Sequence, residues 1–354
     1  MTKNILVTSR ELDVAGYDML ARVAEDASFK VYIAVSNEHE MQMVKGRCIG
    51  VPMPPVHSKL SWRVVFALRR LIKKYGIRVV FSPSSAGLSN AVLASVGTGA
   101  KNIGYRGTQA KVRRADPTYY LGVLNPLASH IVCETADIRE YLLGMLPERK
   151  LSVLTKPFDV AWVQEAMNNP IQVEGVPADA LTCVYIGMCK GRPFKGLRLL
   201  LEAFNLVRVP NMHLVFVGSF DAEDAEWAKK SPKASQIHMV GPQQNANAYL
   251  PGQGMFVLPS TRDASPRVVR EAMACGLPCV VSDIPGAKDL IVHEKTGLLF
   301  QAGSATALAA AIERLANNPN ERCQMGKAGR QRIAEVFSPV QYAEGFKQLF
   351  RSIG

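Results

Sequence analysis

The sequence contains no uninterrupted apolar run of the about 18 residues that a helix needs to cross a bilayer, so we expect no transmembrane helix. The opening residues, MTKNILVTSR, are too mixed for a signal peptide and predict a first strand instead. The seven cysteines form no CxxC pair, and no Cys/His spacing typical of zinc occurs. An odd cysteine count without an export signal favours reduced thiols and a cytoplasmic location.

Acidic residues are nearly absent between Met41 and Cys133, where Asp116 is the only one. Fourteen Lys and Arg residues fall in the same stretch, and the whole chain has a formal net charge of +12. Such a basic region favours an anionic partner, either a phosphate-rich surface, an acidic glycan or nucleic acid. Because the sequence also lacks a helix-turn-helix signal, a zinc finger and an aromatic–basic stripe, we expect no nucleic-acid partner.

Short β-like runs alternate with amphipathic helical stretches along the chain, which predicts doubly wound α/β units. Several runs are continuously apolar, as in strands that are buried on both faces of a parallel sheet. Strands are predicted at 4–9, 31–35, 77–82, 101–105, 129–134, 150–155, 182–187, 213–218, 236–240, 254–259, 278–282 and 296–300. Helices are predicted at 59–75, 136–146, 196–207, 266–275, 303–317 and 320–335.

The alternation pauses at residues 167–180, MNNPIQVEGVPADA, which are polar, weakly periodic and contain Pro and Gly. We interpret this segment as a linker between an N-terminal domain over 1–166 and a C-terminal domain over 181–336. Both are predicted to be Rossmann-like. Ligands of such sheets bind beyond the carboxyl ends of the strands, so we expect the site in a cleft where the two domains face each other.

The segment 257–300 begins with a buried strand that ends near Pro259. Ser265 is a good N-cap, and Pro266 suits the first helical position. The opening amides of the helix, those of Arg267 and Val268, then lie at the positive end of the helix dipole. Such a helix start favours an anion and is suited to a diphosphate.

Two carboxylates flank this helix start. Asp263 lies in the preceding loop, and Glu271 lies about one and a half turns into the helix. Both can accept hydrogen bonds from hydroxyls, such as those of a sugar and a ribose on either side of a diphosphate. Taken singly, they are better explained as surface carboxylates beside Arg262 and Arg270. The setting of the whole segment favours the binding role.

This segment resembles the donor-binding signature of GT-B glycosyltransferases, specifically the large retaining family 4. The signature is an acidic residue, seven residues, Glu and then Ala-Met-Ala-x-Gly-x-Pro-Val, and this chain has Asp263, seven residues, Glu271 and AMACGLPC. The resemblance implies that Asp263 contacts donor-sugar hydroxyls, that Glu271 binds the nucleotide ribose and that the amides near Arg267 take the phosphates. Glu is usual at the first position, and Asp reaches about 1.5 Å less.

A second motif, YIGMCKGRPFKGLRLLLEAF at 185–204, resembles the family's strand, Gly-Arg loop and Lys-Gly helix start. Gly187 at the strand end permits close backbone approach, and the resemblance makes Lys195 the phosphate-binding lysine. The family's arginine after the first glycine is absent, because Met188 stands there. Arg192 is the favoured replacement for that charge, and Lys190 is the alternative.

Two further glycines are candidates for the donor site. HLVFVG at 213–218 and HMVGPQQNANAYL at 238–250 fit the elements that flank the base in this fold. This places Gly218 and Gly241 beside the nucleotide.

The N-terminal half matches the family less specifically. Many relatives carry a His after about the fourth strand, and here the matching position holds Arg106. Arginine does not act as a base near neutrality, but it can clamp an acceptor carboxylate or phosphate, or the leaving diphosphate. Lys111, Arg113 and Arg114 follow it and are equally explained as part of that clamp or as an exposed loop face. His130 is interpreted as a core residue.

The helix predicted at 59–75, KLSWRVVFALRRLIKKY, combines an apolar face that includes Leu60, Val64 and Leu68 with a basic face. It is explained either as a core helix with a solvated basic face, the favoured interpretation, or as a peripheral contact with anionic lipid. The last segment, residues 337–354, resembles the family's tail helix that packs back on the first domain.

These features together predict a GT-B α/β fold and a retaining glycosyltransferase of a bacterial-type cytoplasm. It would move a hexose-type sugar from a nucleoside diphosphate, UDP favoured over GDP, to an anionic or lipid-linked glycan acceptor, as in surface polysaccharide or lipopolysaccharide synthesis. No metal and no other cofactor is expected. The alternatives are a nucleotide-sugar epimerase or hydrolase on the same fold, and a non-catalytic relative that binds a nucleotide sugar or a membrane.

Overall fold

The structure is a computed structural model that describes residues 2–10, 12–108, 112, 114–263 and 265–353. It divides into two compact units, one formed by residues 1–157 with 338–354 and the other by residues 158–337. The described residues contain no helix that is both long enough and apolar enough to span a membrane.

The first unit is built on a parallel sheet of seven strands in the order β3-β2-β1-β4-β5-β6-β7. Its strands are β1 (Lys3–Thr8), β2 (Phe29–Val35), β3 (Ile49–Pro52), β4 (Val79–Ser82), β5 (Lys101–Arg106), β6 (His130–Cys133) and β7 (Leu151–Val153). Its helices are α1 (Val14–Ala24), α2 (Glu38–Val44), α3 (Trp62–Lys74), α4 (Ser85–Ser95), α5 (Ala136–Leu143) and, from the end of the chain, α13 (Pro339–Ile353).

The tail of the chain belongs to the first unit, as predicted. Helix α13 places Phe346 and Phe350 against Phe81 of β4, with ring centroids 5.1 and 6.1 Å apart. All three rings are buried, and both tail phenylalanines are 0% exposed. The apolar face of the tail therefore completes the core beside β4, a strand that lies more than 250 residues earlier in the chain.

The second unit is a parallel sheet of six strands in the order β10-β9-β8-β11-β12-β13. Its strands are β8 (Leu181–Ile186), β9 (Met212–Val217), β10 (Ile237–Gly241), β11 (Met255–Leu258), β12 (Cys279–Ser282) and β13 (Gly297–Phe300). Its helices are α6 (Gln164–Asn168), α7 (Leu197–Leu206), α8 (Ala222–Lys230), α9 (Arg267–Ala274), α10 (Pro285–Lys288), α11 (Ala305–Asn317) and α12 (Pro319–Val336). The strand order reverses between β8 and β11, which is where doubly wound sheets bind ligands.

The chain passes between the units at Pro157 and again after Phe337, whereas the first crossing was predicted after residue 166. Phe158 is 1% exposed within the second core, and its backbone amide donates to the carbonyl of Phe337 at 2.9 Å. The predicted linker, 167–180, also lies in the second unit, where the amide of Ile171 donates to Ala248 at 2.8 Å. Composition does not reveal which of two cores a buried phenylalanine joins.

Strand β3 was not predicted from the sequence, and Leu60 was wrongly assigned to helix α3. Of the four residues of β3, only Val51 is buried, so this edge strand has no continuous apolar run. Helix α3 begins at Trp62 rather than at residue 59, because Ser61 caps it through a bond from the amide of Val64. Leu60, assigned to the apolar face of this helix, precedes it and is 48% exposed.

Candidate functional site

The two motif loops of the second unit meet beside the reversal in strand order. One follows β8 and runs through residues 187–196, and the other follows β11 and runs through residues 259–266. The amide of Thr261 donates to the carbonyl of Phe194 at 2.8 Å, and the Arg262 guanidinium lies 4.4 Å from the centroid of the Phe194 ring. The side-by-side pairing of β8 and β11 brings these loops together.

Lys195 is positioned through its own main chain. The buried Tyr185 hydroxyl donates to the Lys195 carbonyl oxygen at 2.8 Å. The next residue, Gly196, has φ +76°, and a Cβ there would overlap the carbonyl of Pro259. Only glycine satisfies both the left-handed backbone and this close approach, so packing explains the glycine of the Lys-Gly pair.

The Lys195 ammonium forms an ion pair with the carboxylate of Asp263, with Nζ and Oδ2 2.6 Å apart. The side chains are 23% and 16% exposed, so water screens the pair only partly. The residue predicted to bind phosphate therefore contacts the residue predicted to bind the sugar.

Helix α9 begins without a side-chain cap, contrary to the predicted role of Ser265. The N-cap is Pro266, and Arg267 is the first helical residue. The Ser265 hydroxyl instead accepts a bond from Arg270 Nη2 at 2.8 Å, and the Ser265 carbonyl accepts a second at 3.1 Å. Arg270 is only 4% exposed, and its buried guanidinium requires these acceptors. Among the residues that the structure describes, no side chain caps the first amides of the helix, which include those of Arg267 and Val268.

Glu271 lies one turn further along α9 and is 16% exposed. Its Oε1 lies 3.0 Å from Arg267 Nε, whose side chain is mostly exposed. Burial raises the pKa of the Glu271 carboxyl above its ordinary value, while Arg267 and then Arg270 oppose that shift. A mostly buried carboxylate near this helix start is suited to accept hydrogen bonds from vicinal hydroxyls.

The three candidate glycines of this unit lie on adjacent strand ends. Gly187 donates its amide to Val217 at 3.0 Å, and Gly218 donates to the carbonyl of Gly241 at 2.9 Å. Gly218 has φ +142°, and a Cβ there would overlap the carbonyl of Gly187. The backbones of two loops therefore approach each other in a way that side chains would prevent.

Arg192 lies three residues before Lys195 in the same loop. It is exposed and lines a cavity of about 560 Å³ together with Asp221, Glu223 and Asp224. Asp221, which the sequence analysis missed, holds the loop by accepting from the amide of Gly191 at 3.0 Å. None of the side-chain contacts of the described residues joins Arg192 to the Lys195–Asp263 pair.

In the first unit, Arg106 ends β5 and is half-buried. Burial lowers the pKa of its guanidinium, while Tyr119 and Tyr141 act in the opposite direction. Arg114 is exposed and donates to the carbonyl of Gly144. The predicted clamp residues Lys111 and Arg113 lie outside the described residues.

Two other side chains of the first unit bear on the sequence analysis. His130 is 7% exposed, and a ring nitrogen lies 2.9 Å from the Ser152 hydroxyl, which confirms it as a core residue. Glu134, which the sequence analysis missed, is a buried carboxylate at the end of β6, 5% exposed. Its amide donates to the carbonyl of Arg106 at 3.0 Å, so it lies at the same end of the sheet as that arginine.

Two α/β units, each built on a parallel sheet of this topology, are typical of the GT-B fold. Solved structures with high structural similarity to this chain support that assignment. A glycosyltransferase from Rickettsia africae superposes with a TM-score of 0.79 at 18% identity, covering 99% of this chain and 98% of the other. Anabaena HepE in complex with UDP gives a TM-score of 0.76 at 15% identity, covering 99% and 100% of the two chains. At such identities these likenesses establish the fold, which confirms the predicted class.

Residues 171–332 match the model of the family Glycosyl transferases group 1. The matched range contains both motif loops and helix α9, so the resemblance to glycosyltransferases predicted from those residues is confirmed, and membership of the retaining family 4 stays a prediction.

Curated relatives are themselves glycosyltransferases. The Staphylococcus aureus capsular polysaccharide biosynthesis glycosyltransferase CapM is 28% identical over 45% of this chain and 43% of its own length. The Rhizobium meliloti lipopolysaccharide core biosynthesis glycosyltransferase LpsE is 24% identical over 63% and 64% of the two lengths. The matches thus span about 43% and 64% of the lengths of these two relatives. Their names support the prediction of a transferase.

Proposed function

We propose that the protein is a retaining glycosyltransferase that moves a hexose-type sugar from a nucleoside diphosphate, UDP in the first place, to a glycan acceptor. The ion pair between Lys195 and Asp263 carries the proposal, because it joins a phosphate-binding cation to a sugar-binding carboxylate in one partly buried site. The relatives named for capsular polysaccharide and lipopolysaccharide core biosynthesis support a bacterial surface glycan as product. The UDP complex of HepE supports the choice of base.

The donor would lie across the start of helix α9. Its diphosphate accepts hydrogen bonds from the uncapped amides of Arg267 and Val268 and from the Lys195 ammonium. Glu271 accepts bonds from the ribose hydroxyls, and Asp263 accepts bonds from the sugar. Gly187, Gly218 and Gly241 leave room for the nucleotide at the strand ends, and Arg192 adds positive charge near the loop.

The reaction proceeds on one face of the sugar. The acceptor hydroxyl oxygen forms a bond to the anomeric carbon as the bond from that carbon to the diphosphate oxygen breaks, and the hydroxyl proton passes to a leaving diphosphate oxygen. Lys195 and the helix dipole stabilise the charge that develops on the diphosphate. These groups supply the positive charge for which other enzymes use a metal, so we propose a metal-independent enzyme.

The acceptor is proposed to be anionic or lipid-linked. Arg106 and Arg114, with Lys111 and Arg113 between them, would clamp its carboxylates or phosphates. We place the enzyme in the cytoplasm, on the inner face of the membrane where lipid-linked glycans are assembled. The excess of basic residues in this half of the chain supports that placement.

The first experiment is a thermal-shift screen against UDP, GDP, ADP, CMP and their sugar conjugates. A ligand at about 100 times its Kd stabilises its target by about 2.7 kcal/mol. We expect a shift with UDP and its hexose conjugates that is lost in Lys195→Ala and Glu271→Ala and kept in Lys230→Ala, an exposed lysine on α8. No shift with any nucleotide would contradict the donor site.

A transfer assay then separates the proposed enzyme from its alternatives. NMR of the product should show the anomeric configuration of the donor retained, and both variants should lose turnover. Inversion would contradict the retaining mechanism. Free sugar or an epimerised nucleotide as the sole product would indicate a hydrolase or an epimerase, and nucleotide binding without turnover would indicate a binding protein.

A further inference from the structure

Helix α3 of the first unit has one face in the core and one face in solvent. Val64, Leu68 and Ile72 are 1%, 0% and 2% exposed and pack on the sheet. At 100° per residue these three lie on one side of the helix, and Trp62 and Phe66 lie on the opposite side.

The solvent face carries two large aromatic side chains. Trp62 is 61% exposed and Phe66 is 66% exposed, and their ring centroids are 6.2 Å apart. Leu60, directly before the helix, is 48% exposed. Adjacent exposed apolar side chains of this size mark an interaction surface rather than ordinary solvent exposure.

The same face is strongly basic. Arg63, Arg70, Lys73 and Lys74 are all exposed, and the helix contains no acidic residue. None of the ion pairs formed by the described residues involves any of these four side chains. Their positive charge is therefore available to an outside partner.

A neighbouring loop extends this surface. The Lys59 ammonium donates to the carbonyl of Thr118 at 2.8 Å, which holds the short 3-10 turn at Pro117–Tyr119 beside the start of α3. Tyr120 and Leu121 follow this turn directly and are 44% and 42% exposed. The arrangement resembles an interfacial anchor, in which aromatic rings enter the headgroup layer and basic side chains contact lipid phosphates.

We propose that the solvent face of α3 docks the first unit on an anionic lipid bilayer, with Trp62 and Phe66 inserted among the headgroups. This inference deepens the membrane contact of the proposed function by naming its surface. A second copy of the chain is a poor partner for this surface. A symmetric contact would place Arg63, Arg70 and the two terminal lysines of the helix opposite the same positive charges of the other copy. A bilayer satisfies both the aromatic and the basic side chains.

The test is flotation of the full chain with vesicles of phosphatidylcholine alone or mixed with phosphatidylglycerol. We expect binding to the anionic vesicles, weaker binding at high salt and little binding to the neutral ones. Lys73→Gln with Lys74→Gln should weaken partitioning about 30-fold, at about 1 kcal/mol per basic residue and tenfold per 1.4 kcal/mol. Trp62→Ser with Phe66→Ser should weaken it at least tenfold.

Matched controls are available in the chain. Lys229 and Lys230 occupy the last turn of α8 just as Lys73 and Lys74 occupy the last turn of α3, and their double Gln variant should bind like the wild type. Val340 on α13 is 61% exposed, and Val340→Ser controls for the loss of exposed apolar surface. Circular dichroism checks that each variant folds.

Three results would overturn the inference: no binding to anionic vesicles, equal loss in the control and test variants, or lipid-free self-association that Trp62→Ser with Phe66→Ser abolishes. Binding of a soluble acidic glycan with no vesicle binding would assign the surface to an acceptor instead. The vesicles contain no nucleotide, so Lys195→Ala should float like the wild type even if the donor site is wrongly assigned. Failure of the membrane surface and failure of the proposed function are thereby distinguished.

Discussion

Replacing Lys195 with Met removes one half of the 2.6 Å ion pair and leaves the Asp263 carboxylate, 16% exposed, without that partner. Exposed ion pairs contribute about 0.2–1 kcal/mol, whereas removing one partner of a fully buried pair costs about 3–5 kcal/mol. This pair lies between those limits, so we expect the free energy of unfolding of the second unit to fall by about 2 kcal/mol. For a unit of this size that is a Tm decrease of about 4–8 °C.

A double-mutant cycle with Asp263→Asn isolates the interaction. The Asn variant should also be destabilised, because it weakens the acceptor for the Lys195 ammonium. The double variant should be more stable than the sum of the two single effects predicts, by about 1–2 kcal/mol. Residues that do not interact add within about 0.5 kcal/mol, so additive losses would refute the ion pair as a stabilising contact.

The same variants separate the two proposed roles in binding. Lys195→Met should weaken UDP affinity about 10- to 100-fold, as expected for the loss of a hydrogen bond to a charged group. Asp263→Asn should leave UDP affinity unchanged or raise it, because the carboxylate no longer competes for the ammonium, yet it should lower transfer. Isothermal titration with UDP measures the first effect. An equal loss of UDP affinity in both variants would refute the division of roles.

Glu271→Gln should raise the Tm at pH 7 while weakening nucleotide binding. Burial raises the pKa of the Glu271 carboxyl, so its contribution to stability falls as pH rises from the ordinary pKa through the raised one. Thermal melts from pH 4 to 8 should therefore show a Tm difference between the variant and the wild type that grows with pH. A Tm difference that stays constant over this range would contradict the raised pKa. Gly196→Ala should lower the free energy of unfolding by more than about 2 kcal/mol, because the new Cβ would overlap the carbonyl of Pro259. Gly191 also has a positive φ but has open space around it, so Gly191→Ala should lower this free energy by only about 1–2 kcal/mol in the same thermal denaturation. Sugar transfer should persist in EDTA; an activity that EDTA abolishes and Mg²⁺ restores would show that Lys195 and the helix dipole do not suffice.

Much of the fold could be read from the residues, because strands buried on both faces require continuous apolar runs. Strands β9 and β11, with all residues buried, were predicted to within one or two residues. Strand β3 was missed because an edge strand with one buried side chain leaves no such run. The unit boundary was misplaced since Phe158 contributes to a core completed by strands that lie later in the chain.

The chemistry of the proposed donor site is encoded locally, in the spacing of Asp263 and Glu271 about a helix start and in the Lys195–Gly196 pair. Their contacts were not, because Lys195 and Asp263 are 68 residues apart and meet only where parallel strands end side by side. Periodicity likewise showed that α3 has two faces but not that Trp62 and Phe66 lie in solvent. A helix buries whichever face the neighbouring sheet covers, and that choice is made by packing between segments distant in the chain.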